Sequence, residues 1–286
     1  MVRWPEGVLA AVWAISIGLM VGTLAAAEER PAQAIACGGA IIAHGSAVRA
    51  LDGRSFVLAD GREVRLAGIE VPPLPVPGRF DPAAGGGEAS RQELAKFAGS
   101  EIVLRQAEAQ PTDRYGRLVG YAFSTTGSGE ILVQSELVGA GLARVVVRAG
   151  DRACAAELLS REKIARRAKL GLWAGPYYES VDAEHPAEVL AQRGRFALVE
   201  GKVVSVRESG PIIYVNFGRH WATDFTVTIL KRNERNFLAA GLEPRKLAGR
   251  RVRVRGWIEE RSGPQISHRG RSKSNSPMAS NRRTTK

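Results

Sequence analysis

The chain has 286 residues, of which 44% are hydrophobic, and carries a formal net charge of +12 with a pI near 10.3. This length argues against a single continuous core and favours two domains. The positive charge excludes basic surfaces as partners and favours polyanions, meaning nucleic acid or an anionic membrane face. Charge that serves solubility alone is the alternative interpretation.

The N-terminus has the pattern of a secretory signal. Arg3 precedes an apolar run from Gly7 to Gly22, and the small residues 25–27 follow. Cleavage near Ala27 is expected, so residues 1–27 are predicted to be a signal peptide. The mature protein would then be periplasmic or secreted, with no integral membrane domain, and a monomer. Because about 18 apolar residues can span a bilayer, an uncleaved N-terminal anchor is the alternative.

Two cysteines, Cys37 and Cys154, are present in the whole sequence. Export to an oxidising compartment makes a disulfide between them the expected state. A bridge over so long a loop is worth about 4–5 kcal/mol in the chain-entropy model. A lipoprotein, acylated at Cys37, is the rival interpretation.

The predicted elements up to residue 176 form a small mixed unit. From Ala40 to Arg65, short apolar runs broken by Asp-Gly turns predict strands and hairpins. The Pro- and Gly-rich stretch from Pro72 to Gly87 predicts a loop, and a helix is expected to follow it and stop at Gly99. Further strand patterns cover residues 101–108, 116–123 and 130–138, the last of which passes into a helical turn. The clearest helix runs from Asp151 to Trp173, capped by Asp151 and ended by Gly171.

Residues 177–194 are predicted to be a linker with one helical turn. Alternating apolar and polar residues from Phe196 to about Ile266 predict antiparallel strands with a short helix at residues 235–240, which together suggest a second small β-barrel over residues 195–268. Residues 269–286 are basic, contain no acid and predict a disordered tail. The abrupt change after Ile266 suggests a last strand that is truncated or frame-shifted.

Four stretches in the first part resemble the staphylococcal nuclease (thermonuclease-like) family. They are the Asp-Gly-x-Ser turn at residues 52–55, VRLAGIEVP at 64–72, DRYGRLVGYAF at 113–123, and LVGAGLARV at 137–145 followed by a helix ending in GLW. The resemblance implies a domain over residues 38–176. It also implies a mainly β fold with α-helices (α+β), built on a five-stranded barrel of the OB type with packed helices. A second barrel, which is OB-like, is predicted after this domain. Active members cut DNA and RNA with Ca²⁺, two arginines and a carboxylate that activates water.

The cationic half of that active site is matched in this sequence. The resemblance places the two family arginines at Arg65 and Arg117, with Arg114 and Tyr115 as neighbours that contact the nucleotide. Planar guanidinium groups suit a phosphate whose charge grows in the transition state. The alternatives are a strand arginine paired with a nearby glutamate at position 65, and a turn aromatic at position 115.

The metal side departs from the family pattern. Asp52 and Glu70 match metal carboxylates, but Arg54 stands where the family has its second aspartate. Pro73 stands where the family has the residue that activates water. A guanidinium opposes a hard cation, which needs converging oxygens. The hypothesis is that Arg54 replaces the cation and pairs with Asp52 and Glu70, so that no metal is bound. If the site works, Ca²⁺ is the expected cofactor, with Arg65, Arg117 and Glu70 as the catalytic set.

A rearranged metal site is the alternative. Asp60, Glu63, Glu88 or Asp113 could supply a ligand or a base, although none has a spacing that demands it. Under this alternative the protein would be a metal-dependent nuclease.

The second barrel carries a candidate binding face of its own. Arg251, Arg253 and Arg255 alternate along one strand, and Trp257 continues the same face. Arginines beside an aromatic suit a single-stranded nucleic acid, and a solvated outer face is the alternative. The segment FGRHWATDF, at residues 217–225, groups His220, Trp221 and Asp224 and is interpreted as a strand-end loop.

Three functions therefore compete. The first is an exported thermonuclease-like protein that binds nucleic acid or another polyanion, with a degraded calcium site and weak or no phosphodiesterase activity. The second is the active nuclease with a rearranged metal site. The third is an envelope interaction module with no role in nucleic-acid binding.

Overall fold

The computed structural model describes residues 37–78, 85–126, 129–147 and 152–268. These residues belong to one compact unit. The predicted signal peptide, the capping role of Asp151 and the predicted basic tail fall outside the described residues. No helix in the described ranges is long and apolar enough to cross a membrane.

The first half is built on a ring of five paired strands. The strands of this half are β1 (Ile41–Asp52), β2 (Ser55–Leu58), β3 (Glu63–Leu66), β4 (Ile69–Glu70), β5 (Glu101–Gln106), β6 (Leu118–Thr126), β7 (Gly129–Leu132) and β8 (Arg144–Val145). The ring consists of β1, β2, β3, β5 and β6. The sheet order is β3-β2-β1-β5-β6-β7, and β3 also pairs with β6 in parallel, so the ring closes. The predicted mainly β fold, with an OB-type arrangement of five strands in this half, is therefore confirmed. The short strands β4 and β8, which pair with each other, were not predicted.

Three helices pack beside this barrel. They are α1 (Gly85–Ala95), α2 (Val133–Gly139) and α3 (Arg152–Arg167). Helix α1 buries Leu94 and ends at Ala95, four residues before the predicted stop at Gly99, where the chain turns with a positive φ of 82°. The core combines inward residues of the ring with buried residues of α2 and α3, such as Val64, Leu104, Leu137 and Leu158.

The second half forms a seven-stranded sheet. Its elements are β9 (Val181–Asp182), α4 (Pro186–Ala191), β10 (Phe196–Lys202), β11 (Ser205–Ser209), β12 (Ile212–Asn216), β13 (Thr226–Leu230), α5 (Glu234–Ala239), β14 (Arg251–Arg261) and β15 (Gly263–His268). The sheet order is β11-β12-β13-β15-β14-β10-β9. Only two residues separate β10 from β11, so the two can be counted as halves of one bent strand. Counted in this way, the five strands of the second sheet pair in the same order as β1, β2, β3, β5 and β6 of the first ring. The parallel pair of β13 with β15 corresponds to that of β3 with β6.

The segment predicted as a linker contains β9 and α4, and β9 pairs in parallel with β10. The division into domains at residues 176 and 195 remains a prediction, as does the assignment of the second sheet to a separate OB-like domain. The described part of the last strand reaches His268.

The two halves are in contact through a small apolar cluster. Its buried members come from α3, from the chain that follows it and from β10, and they are Ala165, Leu172, Trp173, Tyr178, Phe196 and Leu198. Trp257 of β14 packs against this cluster, with its ring edge-on to Phe196 at 6.3 Å between centroids.

The predicted disulfide between Cys37 and Cys154 is present. It joins the residue just before the barrel to the first turn of α3, and both cysteines are buried. A disulfide is consistent with an oxidising compartment.

Candidate functional site

The site begins at the two-residue turn between β1 and β2, formed by Gly53 and Arg54. Asp52 pairs with Ser55 across it, and Asp52 Oδ1 accepts a hydrogen bond from the Arg54 amide at 2.8 Å. The turn lies directly on α1, since a Cβ added to Gly53 would be 2.4 Å from Cβ of the buried Ser90. Packing against the helix therefore fixes the backbone of Arg54.

Arg54 and Glu70 form an ion pair in which Arg54 Nη1 donates to Glu70 Oε2. Both side chains are largely buried, with 16% and 12% of their surfaces exposed. Glu70 is held in place by β4, which pairs with β8. The guanidinium of Arg54 therefore lies against one of the two carboxylates that the resemblance assigns to a metal, while Asp52 binds the Arg54 backbone.

Arg65 lies between the buried residues Val64 and Leu66 of β3, so its side chain is on the outer face of the ring. Burial first, and then the charges of Arg54 and Arg117, lower the pKa of Arg65 to about 10, although Glu70 and Asp52 act in the opposite direction. Among the described residues, its guanidinium makes no hydrogen bond or ion pair. The structure thus brings Asp52, Arg54, Glu70 and Arg117 within electrostatic reach of Arg65.

Arg117 is oriented by Asp113. Its Nε and Nη2 donate to Asp113 Oδ2 at 2.9 and 2.7 Å, and its amide donates to Oδ1 at 3.1 Å. Burial raises the pKa of Asp113, but the hydrogen bonds from Arg117 and from the Tyr115 amide outweigh it and hold this pKa below its usual value. The exposed Tyr115 ring lies under both Arg114 and Arg117, with Cζ-to-centroid distances of 4.8 and 5.2 Å. The predicted aromatic neighbour is thus placed beside the second arginine.

These residues do not fit a divalent cation. A hard cation needs several converging oxygens, whereas Glu70 is already paired with Arg54, and Pro73 has no group that accepts a proton. Within the ranges that the structure describes, no three His, Cys, Asp or Glu side chains are grouped as metal ligands would be.

Three of the four carboxylates considered as replacements have basic partners. Asp60 is bound by Arg62, Glu88 by Arg91, and Asp113 by Arg117. The fourth, Glu63, is exposed on β3.

The predicted face on β14 does not form one open surface, so this prediction is corrected. Arg255 is 15% exposed and donates through Nη1 and Nη2 to the buried carboxylate of Glu162 at 3.1 and 2.8 Å. Trp257 packs into the cluster between the halves, while Arg253 pairs with Glu200. The four side chains do share one face of the strand, as predicted, but the end of this face that carries Arg255 and Trp257 contacts the first half of the molecule. Arg251 alone among the four is exposed without a described ion pair.

A buried charged network behind the site was not predicted. Glu162 of α3 also accepts the Val145 amide at 2.8 Å, and Arg144 donates to the Phe196 carbonyl at 2.5 Å. Burial lowers the pKa of Arg144, with Tyr178, Glu70 and Glu162 acting in the opposite direction. A sequence signal existed for Glu162, because it lies four residues after Leu158 and three before Ala165, on the buried face of the helix.

Comparison with known families decides the assignment of the first half. Residues 63–175 match the family model described as staphylococcal nuclease homologue. Residues 63–175 therefore form a domain that is similar to staphylococcal nuclease homologues. Such a domain implies binding of nucleic acid of the nuclease type, in a family that generally depends on Ca²⁺.

The match covers about two fifths of the chain and begins after Asp52 and Arg54. These two residues lie just before β2, and β2 pairs with β3, the first strand inside the matched region. No curated protein matches the chain.

Proposed function

We propose that the nuclease-homologue half binds nucleic acid or another polyanion through Arg65 and Arg117, and that its phosphodiesterase activity is weak or absent. The observation that carries this proposal is the ion pair between Arg54 and Glu70, at the position that the family resemblance assigns to a cation. Arg114 and Tyr115 extend the binding surface. The protein acts after export, in the periplasm or outside the cell, as the signal pattern and the disulfide suggest.

The charges of the site support binding of an anion. Glu70 neutralises Arg54 and Asp113 neutralises Arg117, whereas Arg65 has no ion pair among the described residues. Burial first, and then the charges of Arg54 and Arg117, disfavour its positive charge and lower its pKa. A phosphate oxygen would offset both effects, so Arg65 is the group that gains most from an anionic ligand.

The same arrangement disfavours cleavage. A positioned general base contributes about 10²- to 10⁴-fold to rate, and a bound metal lowers the barrier by several kcal/mol more. Pro73 cannot act as the base, and Glu70, the carboxylate that would bind the metal, is already paired with Arg54. Phosphate contacts remain, but no group in this arrangement activates water.

Salt-dependent binding tests the proposal. Single-stranded DNA, duplex DNA and RNA are titrated with the protein, its Arg65→Ala variant and its Arg62→Ala variant over a range of salt concentrations. Arg62 is the matched control, because it lies on the same barrel but is exposed and pairs with Asp60. Since each phosphate contact releases counterions, Arg65→Ala should weaken binding and reduce the slope of log K against log salt by about 1, while Arg62→Ala changes neither.

Equal effects of the two variants would contradict the assignment of Arg65. Binding that is absent, or insensitive to salt, would instead favour an envelope interaction module.

A further inference from the structure

The outer face of the second sheet carries a patch of polar side chains, whereas its inner face is apolar. Ile213, Val215, Val227 and Ile229 face the apolar core, so the alternate residues of β12 and β13 lie on the other side. Asn216, Thr226 and Gln265 form one row across β12, β13 and β15, and Tyr214 and Thr228 pair in the next row. Asn216, Thr226, Thr228 and Gln265 are only 5–8% exposed.

A cavity of about 230 Å³ lies over this patch. Besides the strand residues, it is lined by Trp221 and Asp224 from the loop between β12 and β13, and by Arg261 and Gly263 at the turn between β14 and β15. Its volume is below the roughly 300–1,000 Å³ typical of pockets for drug-sized ligands, which suits a single planar ring. Trp221 is 75% exposed and is the most exposed large hydrophobic side chain among the described residues.

The two loops that form the rim are packed together. A Cβ on Gly263 would lie 2.9 Å from the carbonyl carbon of Thr223, and one on Gly218 would lie 1.9 Å from Asp224 Oδ2. Asp224 Oδ2 also accepts the His220 amide at 2.8 Å, which closes the loop around Trp221. The loop predicted from FGRHWATDF is therefore an ordered wall of the cavity.

The cavity floor offers both hydrogen-bond donors and acceptors. Gln265 Nε2 donates to the hydroxyl oxygens of Thr228 and Ser267, both at 2.9 Å, whereas its Oε1 accepts no hydrogen bond from any described residue. Thr228 accepts from Gln265 and so retains its own proton to donate. Asn216 Nδ2 donates to Ser205 at 3.2 Å, which leaves its second amide proton. Uncharged groups of both kinds match the edge of a nucleobase.

The positive charge of the second half as a whole favours a nucleic acid over a neutral sugar, although the cavity lining itself holds one residue of each sign, Arg261 and Asp224. Residues 195–268 contain fourteen Lys and Arg and seven Asp and Glu. Arg261 is at the rim and is 55% exposed, with its Nε 3.8 Å from a carboxylate oxygen of Glu259, and Arg207 pairs with Tyr214 across β11 and β12. Both could contact the phosphates that flank a bound base.

We propose that this cavity, here called the Trp221 pocket, binds a base of single-stranded nucleic acid by stacking on Trp221 and hydrogen bonding to the Gln265 and Thr228 row. The Trp221 pocket lies in a different half of the chain from Arg65, and its proposal does not depend on the function of the first site.

The test is fluorescence anisotropy of a labelled oligodeoxythymidylate of about ten nucleotides, within the range of strand lengths that such sheets bind. It uses the protein and its Trp221→Ala variant, each with and without Arg65→Ala. Leu238→Ala is the matched control, because Leu238 is 49% exposed and lies on α5 outside the cavity lining. Loss of stacking should weaken binding at least about five-fold in both backgrounds, while Leu238→Ala has no effect.

Equal affinities of the protein and its Trp221→Ala variant would overturn the pocket while leaving the Arg65 site standing. A loss caused by Trp221→Ala but not by Arg65→Ala would support the pocket and contradict the first site. A neutral chitin oligosaccharide is titrated in parallel. Its binding, lost in Trp221→Ala, with no effect of that variant on the oligonucleotide, would overturn the proposed class of ligand.

Discussion

At the scale of single residues, the substitution of one side chain changes the chemistry of the site. Arg54 could be singled out from the sequence, because it stands inside a recognisable turn beside an expected metal carboxylate. Its pairing with Glu70 was a hypothesis because the family resemblance places both residues around one cation, whereas the strand pair β4 and β8 that holds Glu70 was not predicted. The pairing of Asp113 with Arg117 was not predicted, since it depends on the local conformation of the DRYGR turn.

Replacing this arginine by an acid should create a cation site. In Arg54→Asp a third carboxylate joins Asp52 and Glu70, and converging oxygens are what Ca²⁺ requires. Isothermal titration calorimetry should show saturable heat of calcium binding for Arg54→Asp and none for the unaltered protein or for Arg62→Asp, a control outside the site. A calcium site of similar affinity in the unaltered protein would contradict the role given to Arg54.

At the scale of elements, patterns predict which residues share a face but not what that face contacts. The alternation of Arg251, Arg253 and Arg255 was visible in the sequence, whereas the buried partner of Arg255 comes from α3, 93 residues earlier. The position of Glu162 on the buried face of α3 indicates that it needs a partner, but no local pattern identifies Arg255 as that partner. Only the contact between the two halves shows that they neutralise each other.

The two arginines of β14 should differ sharply in their effect on stability. Arg255→Ala leaves Glu162 buried without its partner, which typically costs about 3–5 kcal/mol. Arg253→Ala removes an ion pair that is 39% exposed on the arginine side and should cost at most about 1 kcal/mol. Urea unfolding followed by circular dichroism measures both. Equal losses in the free energy of unfolding would contradict the larger contribution assigned to the buried pair of Arg255 and Glu162.

At the scale of the whole molecule, two sheets with the same pairing order are in direct contact. The first was predictable because four motifs carry a family pattern, whereas the second has only strand alternation to indicate it. Their contact and the Trp221 pocket arise from residues distant in sequence, so no local pattern could reveal them. The disulfide was predictable because the whole sequence contains two cysteines.

Removal of the disulfide should destabilise the protein substantially. The bridge spans 117 residues, and closing a loop of this length is worth about 4–5 kcal/mol in the chain-entropy model. The Cys37→Ser/Cys154→Ser variant should unfold at a clearly lower urea concentration, and reductant should shift the unaltered protein but not the variant. A loss below about 1 kcal/mol would contradict a stabilising role.

The measurement that tests the central claim most directly is a cleavage assay. Single- and double-stranded DNA and RNA are incubated with the protein in Ca²⁺, in Mg²⁺ and in chelator, beside Arg65→Ala. The account predicts no cleavage that depends on metal, together with retention of the strand that weakens as salt rises. Metal-dependent cleavage that is lost in Arg65→Ala would contradict it, and would mean that another carboxylate has replaced the chemistry missing at Arg54 and Pro73.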